Sequence, residues 1–370
     1  MGGDVTRPPA PDELEVSLFG RGVGECAVVH LGSGEWLVVD SCLDPQTEEP
    51  VALRYLRELG LAPHDVVRML VVTHGHDDHM SGAAAIFAAA AKAKFVCSAA
   101  LQRQDFRTLL ATDHAASSNP SNATARTREF SAILDLLKQR NARGARVVTP
   151  EWTMQDRLLH ERSGPPSAQV YALAPSSSAM TRGFRGIASA VPREGSDKLT
   201  AVDVGPNDSS VVLSVRLGLA SALLGADLEH VADPAAGWNA VVGSTAAAGS
   251  RAQVFKVPHH GSENAHCDAV WSQRLVAEPH AVITPFAKGA KPLPTEADLA
   301  RIRKRTPNVS LAGRASEKKV HFSDTAVERT VRETVGAIRP RQGALGHVRV
   351  RVDPSGTIRS VDYFGNARAV

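Results

Sequence analysis

The chain has 370 residues, 43% hydrophobic and 22% charged, with a net charge of +3. That balance excludes a disordered or collagen-like polymer and suffices to bury one large core or two medium ones. The charge is uneven: residues 301–370 hold 15 Lys and Arg against 6 Asp and Glu, a net +9, which leaves −6 on the first 300 residues.

The opening "MGGDVTRPPAPDELE" lacks the apolar core of a signal peptide. Three strands follow, in "ELEVSLF", "ECAVVHL" and "EWLVVD", the last two joined by the Gly32–Gly34 turn. "EPVALRYLRELG" carries Val51, Leu53, Leu56 and Leu59 near helical spacing, with Gly60 as its stop. "VVRMLVVT" is a nearly continuous apolar strand of the doubly buried kind, and it runs into "VVTHGHDDHMSG", residues 71–82. "GAAAIFAAAAKAKFVCSAA" is alanine-rich and carries Lys92 and Lys94, so it reads as a small-residue helix packed inside a domain, not as a membrane span.

Residues 98–165 read as a helical insertion or cap, interrupted by the loop "SSNPSNAT". Strands are then expected in "AQVYALA", "SSVVLSVRL" and "SALLGAD", a helical segment to about residue 249, and a strand in "AQVFKVP". Alternation continues through "HAVITPF", "EADLARIRKR" and "NVSLAG", and a β-hairpin within 340–370 closes the chain around Pro354-Ser355-Gly356. Hairpins first and strand–helix alternation after, twice over, suggest one domain over 1–370: an α/β protein with two sheets face to face and helices outside. Cys26, Cys42, Cys97 and Cys267 form no CxxC pair and read as reduced, buried thiols, which points to a soluble cytoplasmic protein.

His74 and His76 lie two apart at a strand end, so both can enter one cleft, with Asp78 and His79 on the turn that follows. Four donors in six residues, imidazole and carboxylate, suit Zn²⁺ or a similar borderline metal, with Mn²⁺ as the alternative. Asp77 is expected to face solvent or to cap the next helix. Asn207 and Ser209 in "GPNDSSVV" either donate to a substrate phosphate or form a turn into a strand. Lys288 either holds a phosphate or is a solvated loop charge. Lys256 reads as a strand residue without a direct role.

The spacing His-x-His-x-Asp-His resembles the signature of the metallo-β-lactamase superfamily. The resemblance extends to Asp40 in "WLVVDSC", Asp227 in "ALLGADLEH", and His259 and His260 in "VFKVPHHGSENA". It implies a four-layer αβ/βα sandwich with one or two Zn²⁺ ions at one edge. One metal would lie between His74, His76 and Asp227, the other among Asp78, His79, Asp227 and His260. His259 would face the substrate as an acid or oxyanion donor, and Asp40 would orient a ligand from behind. "GVGECAVVHLGSGEWLVVDSC" and the later blocks look like the metallo-hydrolase domain of bacterial DNA-uptake competence proteins, whose relatives are mostly nucleases and phosphodiesterases.

Two departures stand out. Many members of the superfamily add a third histidine to the first metal, and Ala174 occupies the matching place; His114 and His160, the only histidines between 80 and 226, fall in the expected insertion. Competence-type domains tend to carry a His-Pro pair where this chain has Leu293-Pro294. The expected function is a metal-dependent hydrolase of a phosphodiester, with nucleic acid as a candidate partner of the basic C-terminal region. A hydrolase of a carboxylic ester, thioester, lactone or β-lactam is the alternative, and a non-catalytic metal-binding or regulatory module is the alternative from another class.

Overall fold

The computed structural model describes residues 3–101, 125–143, 149–190, 207–246, 248–287, 291–314, 329, 330, 334 and 345–370. Sixteen strands lie among them: β1 (Leu14–Gly20), β2 (Glu25–His30), β3 (Trp36–Val39), β4 (Val67–Val72), β5 (Lys94–Ser98), β6 (Glu151–Thr153), β7 (Arg157–Arg162) and β8 (Ala168–Ala172). They continue with β9 (Leu213–Leu217), β10 (Ala220–Leu224), β11 (Ala252–Lys256), β12 (Leu275–Ile283), β13 (Val309–Leu311), β14 (Gly346–Val352), β15 (Ile358–Gly365) and β16 (Arg368–Ala369).

They form two eight-stranded sheets, ordered β15-β14-β1-β2-β3-β4-β5-β6 and β16-β13-β12-β11-β10-β9-β8-β7. Both follow one plan. An antiparallel run (β1 to β3; β7 to β10) passes into parallel strands (β4, β5, β6; β11, β12, β13). The C-terminal hairpin extends the first sheet by pairing β14 with β1.

Period-two alternation explains the layers. Along the first sheet, Val29, Leu37, Val39, Met69, Val71 and Val96 point to one side and join Val215, Ala222, Val254 and Val282 of the second sheet in an inter-sheet core. The alternate residues Val28, Val38, Leu70, Val72 and Phe95 face a cluster that includes Tyr55, Phe87 and Phe130 of the helices Val51–Glu58, Ala83–Ala89 and Ala125–Arg143. Beyond the second sheet, Phe255 and Ile283 pack with Trp238, Trp271 and Ile302 of Gly237–Gly243, Asp268–Gln273 and Glu296–Arg303. The fold is therefore the four-layer αβ/βα sandwich.

Two local expectations are corrected. The alanine-rich stretch is not one helix: Ala83–Ala89 is helical, but Lys94–Ser98 is strand β5, because Phe95, Val96 and Cys97 pair in parallel with Leu70–Val72. The described part of 98–165 is helical only over Ala99–Leu101 and Ala125–Arg143. Its last residues are β6, in the first sheet, and β7, in the second. His160 sits on β7 beside Glu35, 3.2 Å away. The loop "SSNPSNAT", His114 and Lys288 lie outside the described residues. Among the described residues, no helix is long and apolar enough to cross a membrane.

Asp40, His74, Asp227, His259 and Thr284 all follow strands of the parallel halves or join them (β3, β4, β10, β11 and β12). One edge of the sandwich thus gathers loops from both sheets, and the Val211 N–H to Thr73 carbonyl bond, 3.0 Å, ties them together.

Burial also makes part of the frame acid-sensitive. His30 donates from Nδ1 to the Glu13 carbonyl and accepts at Nε2 from the Gly34 N–H, an arrangement that requires a neutral ring. Burial pulls its pKa down to about 4. The unfolded chain therefore binds more protons between about pH 4 and 6.5, and stability falls as pH drops through that window. His30 contributes about 2 kcal/mol of that loss between pH 7 and 5. Denaturant titrations at both pH values should give His30→Asn a drop smaller by about that amount; an equal drop would refute the account.

Candidate metal centre

The centre is built from short-range necessities of the chain. Asp40 follows β3 in the left-handed region, φ 58°, which turns its carboxylate back under the neighbouring loop. There it accepts the Thr73 N–H at Oδ1 (2.7 Å), and at Oδ2 it accepts the Thr73 hydroxyl (2.8 Å) and His79 Nδ1–H (2.8 Å). Since the Thr73 hydroxyl donates to Asp40, it accepts from His74 Nδ1, 3.0 Å away. These bonds leave Nε2 of both His74 and His79 as lone-pair donors. The tautomers follow from the hydrogen-bond network.

His79 Nε2 is buried without a well-formed hydrogen bond and lies 3.3 Å from Asp227 Oδ2 and 3.5 Å from Asp78 Oδ2. His260 completes the group. Its Nδ1–H donates to the Thr284 carbonyl at 2.8 Å, so Nε2 turns to Asp227 Oδ2 (3.4 Å) and Asp78 Oδ2 (3.7 Å). Donor separations of 3.3–3.7 Å suit a tetrahedral ion with bonds of about 2.0–2.2 Å, whose edges are about 3.3–3.6 Å. The residues present therefore fit a divalent cation, and the orphaned His79 Nε2 is the atom that most needs one.

A second pair lies beside it. His74 Nε2 and His76 Nδ1 approach to 3.0 Å, and the His74 and His79 ring centres are 4.2 Å apart. Ala174, where the resemblance leads one to expect a further histidine, is buried and offers no donor. The four-donor group is thus the more complete of the two.

Electrostatics point the same way. Burial disfavours charge on His79, but Asp227, Asp78, Asp40 and Glu25 outweigh it and hold its pKa well above the usual range. Against the same burial, Asp227 leads the groups that bring His260 up to about 10. Asp78 and Asp227 are held low despite burial, by the facing histidines. His74, buried beside His79 and His76, is pushed well down. The site is a concentrated negative field that draws positive charge to one point.

The sequence reading missed Glu25 and undervalued Lys256. Glu25 begins β2, is buried, and lies with His79, Asp227 and His260 in a group whose ligand atoms all fall within 4.8 Å of one another. Yet its oxygens sit 3.7 Å from Nδ1 of His79 and of His260, behind the rings, whereas Asp78 and Asp227 face Nε2. We therefore place Glu25 beneath the donor set and not within it. Lys256 meets Glu25 Oε1 at 2.6 Å. The one signal in the sequence was a charged residue at one end of each of two mostly apolar strands, Glu25 at the start of β2 and Lys256 at the end of β11.

His259 does not join the donors. Its Nδ1–H donates to Asn264 Oδ1 (3.0 Å), and Nε2 lies 3.3 Å from Asn207 Nδ2, which also donates to Glu229 (2.9 Å). Ser209 is buried at the end of the same turn, its carbonyl taking the Ser98 hydroxyl at 2.9 Å. Asp77 is exposed, as expected, in the first turn of the helix Asp77–Met80. A cleft of about 220 Å³ opens beside Asp78, walled by Arg21, Val23, Gly24, Leu43, Asp77 and Phe286. Gly24, at φ 105°, is required there: a Cβ would stand 3.1 Å from the Asp78 carbonyl oxygen.

Residues 19–103 match the family model of the metallo-β-lactamase superfamily. The match contains Asp40, His74, His76, Asp78 and His79, and it supports membership in that superfamily. Among curated proteins nothing matches. Similar solved structures include the metallo-β-lactamase fold protein YhfI from Bacillus subtilis, at 10% identity over 82% of this chain and 98% of that one, TM-score 0.40. Zn²⁺-bound PqqB from Methylobacterium extorquens is 12% identical over 79% and 86%, TM-score 0.34. The metallo-β-lactamase SMB-1 is 14% identical over 70% and 82%, TM-score 0.34.

Asp40 orients His79 from behind, a position where substitution typically costs 10–100-fold in metal affinity. Asp40→Asn should lower Zn²⁺ affinity by that factor in a calorimetric titration while the circular dichroism spectrum stays native. Unchanged affinity would show that the Asp40–His79 bond does not orient the donor.

Proposed function

We propose that this chain is a metal-dependent hydrolase, with Asp78, His79, Asp227 and His260 holding a Zn²⁺ ion and His74 and His76 contributing to a second, weaker position. The observation that carries the reading is the convergence of four donor groups on one point, with His79 Nε2 buried and unsatisfied. Mn²⁺ is the alternative ion for a mixed nitrogen and oxygen donor set. A divalent cation held there makes hydroxide accessible at neutral pH and offsets negative charge on the oxygen under attack.

The chain's own residues do the rest. Asp40 and the Thr284 carbonyl fix the imidazole rings of His79 and His260 through Nδ1, so that Nε2 of each would be free to hold an ion. Asp227 presents Oδ2 between those two nitrogens. His259, half-buried and steadied at Nδ1 by Asn264, offers an unprotonated Nε2; once the 3.3 Å contact with Asn207 yields to the substrate, that nitrogen would take up the proton released by the attacking water and hand it to the leaving-group oxygen. Asn207 thereby sets the ring's resting position. Ser209, being buried, shapes the turn that carries Asn207.

For the substrate we propose a phosphodiester. Arg21 lines the cleft beside Asp78, with Nε and Nη1 committed to the Val23 and Leu43 carbonyls (2.6 and 3.1 Å), so a fixed cation stands where a phosphoryl oxygen would lie. As a partner we propose a nucleic acid, on the net +9 of residues 301–370, although two of those charges, Arg349 and Arg351, are buried in ion pairs with Asp362 and Glu15. The closer resemblance, to competence-type metallo-hydrolase domains, rests on the sequence blocks around Glu25 and His259–His260. We place the protein in the reducing cytosol, since all four cysteines are buried and free.

The test is one assay across bis(p-nitrophenyl) phosphate, single-stranded DNA, RNA, cyclic dinucleotides, carboxylic esters and a β-lactam, with metal content measured in parallel. Asp78→Ala and His260→Ala should each lose metal and cut phosphodiester hydrolysis by roughly 10²-fold or more, the scale expected when charge stabilisation at the reacting centre is removed. Arg21→Ala should raise KM for the phosphodiester more than it lowers kcat. Turnover confined to the esters or the β-lactam would replace the phosphodiester reading, and full metal without any turnover would replace the enzyme with a binding module.

A further inference from the structure

The least expected charge at this edge is Lys256. It ends β11 with its side chain only 3% exposed. Its ammonium, which has three N–H groups, meets three oxygens: Glu25 Oε1 at 2.6 Å, the Ala226 carbonyl at 2.6 Å and Asp227 Oδ1 at 3.6 Å. Asp227 Oδ1 is buried and has no hydrogen bond of its own.

Each contact leads to a metal-facing group. Ala226 is held in the left-handed region, φ 46°, and its carbonyl also accepts the His259 N–H at 3.0 Å, so one oxygen joins the Asp227 turn to the double-histidine loop. Glu25 Oε2 accepts the Thr284 hydroxyl, and the Thr284 carbonyl in turn accepts His260 Nδ1–H. A buried ammonium is costly unless paired, and an apolar side chain would fill the same volume without that cost. Packing alone therefore does not account for a lysine here.

We propose that Lys256 is a positioning residue for the metal centre: with Glu25 as its counter-ion, it clamps the Ala226–Asp227 turn and engages Asp227 Oδ1, so that Oδ2 alone faces His79 and His260. This rests on the metal-binding reading of the site. Glu25 contributes twice, by neutralising Lys256 and by holding Thr284 behind His260. The pair sits behind the rings, with Glu25 on the Nδ1 side of His79 and His260.

The test is Co²⁺ titration of the full chain, followed by visible absorption and metal stoichiometry, with thermal unfolding measured on the same samples. The variants are Lys256→Met, Glu25→Gln, and both together. Lys256→Met should weaken Co²⁺ binding by about 10–100-fold, the cost usual for groups that orient ligands, and should change the intensity of the Co²⁺ d–d bands. The double variant leaves no buried charge unpaired, so it should recover thermal stability without recovering Co²⁺ affinity. It also decides the matter if Lys256→Met alone does not fold. Wild-type affinity and spectrum in the double variant would overturn the proposal, because Lys256 would then serve only to neutralise Glu25. A wild-type protein that binds no Co²⁺ would instead overturn the metal reading, and this proposal with it.

Discussion

Charge withheld from water is the constraint on which this structure turns. Glu25, Asp40 and Asp227 are each 4% exposed or less, and they meet where the ends of both sheets converge. An isolated buried carboxylate costs several kcal/mol, so each must be matched. Asp40 is matched by Thr73 and His79, Glu25 by Lys256 and Thr284, and Asp227 by His79, His260 and Lys256. Removing one member leaves its partner unpaired, which makes the network stiff. The same economy turns His79 Nε2, His260 Nε2 and the oxygens of Asp78 and Asp227 toward one another, at 3.3–3.7 Å.

Backbone geometry bears the cost of this convergence. Asp40, Ala226, His259 and His260 all take positive φ without being glycine. Such residues cost roughly 1–3 kcal/mol each and persist where flanking structure over-determines them. Here the flanks are β3, β10 and β11, apolar strands anchored in the inter-sheet core or the cluster beyond it. The turns carry strain so that side chains from distant parts of the chain share one small volume. The sandwich thus acts as a rigid frame for short loops, which suits a site whose donors must stand within tenths of an ångström of their places.

Much of this frame is legible in the sequence. The strand hairpins, the apolar runs of β4 and β11 and the terminal hairpin follow from period-two patterning, and the order of antiparallel and parallel segments repeats as the pattern suggests. Histidines and aspartates placed just after apolar strands were visible as a group, and the structure brings Asp40, His74, His76, Asp78, His79, Asp227 and His260 together. Less legible was anything set by long-range burial. Glu25 reads as an ordinary strand residue until Thr284, 259 positions away, closes over it. Lys256 is ambiguous for the same reason. The alanine-rich stretch misled because small residues suit a helix, while pairing with β4 decided the fate of Phe95–Cys97.

The chemistry of this edge depends on where a metal ion binds. Crystals soaked with Zn²⁺ and measured at the zinc absorption edge should show an anomalous peak bonded to Nε2 of His79 and of His260 and to carboxylate oxygens of Asp78 and Asp227, at about 2.0–2.2 Å. Lys256 should remain on Glu25 and Asp227 in that structure. No peak at the site, or an ion bound by Glu25 with Lys256 displaced, would contradict that placement.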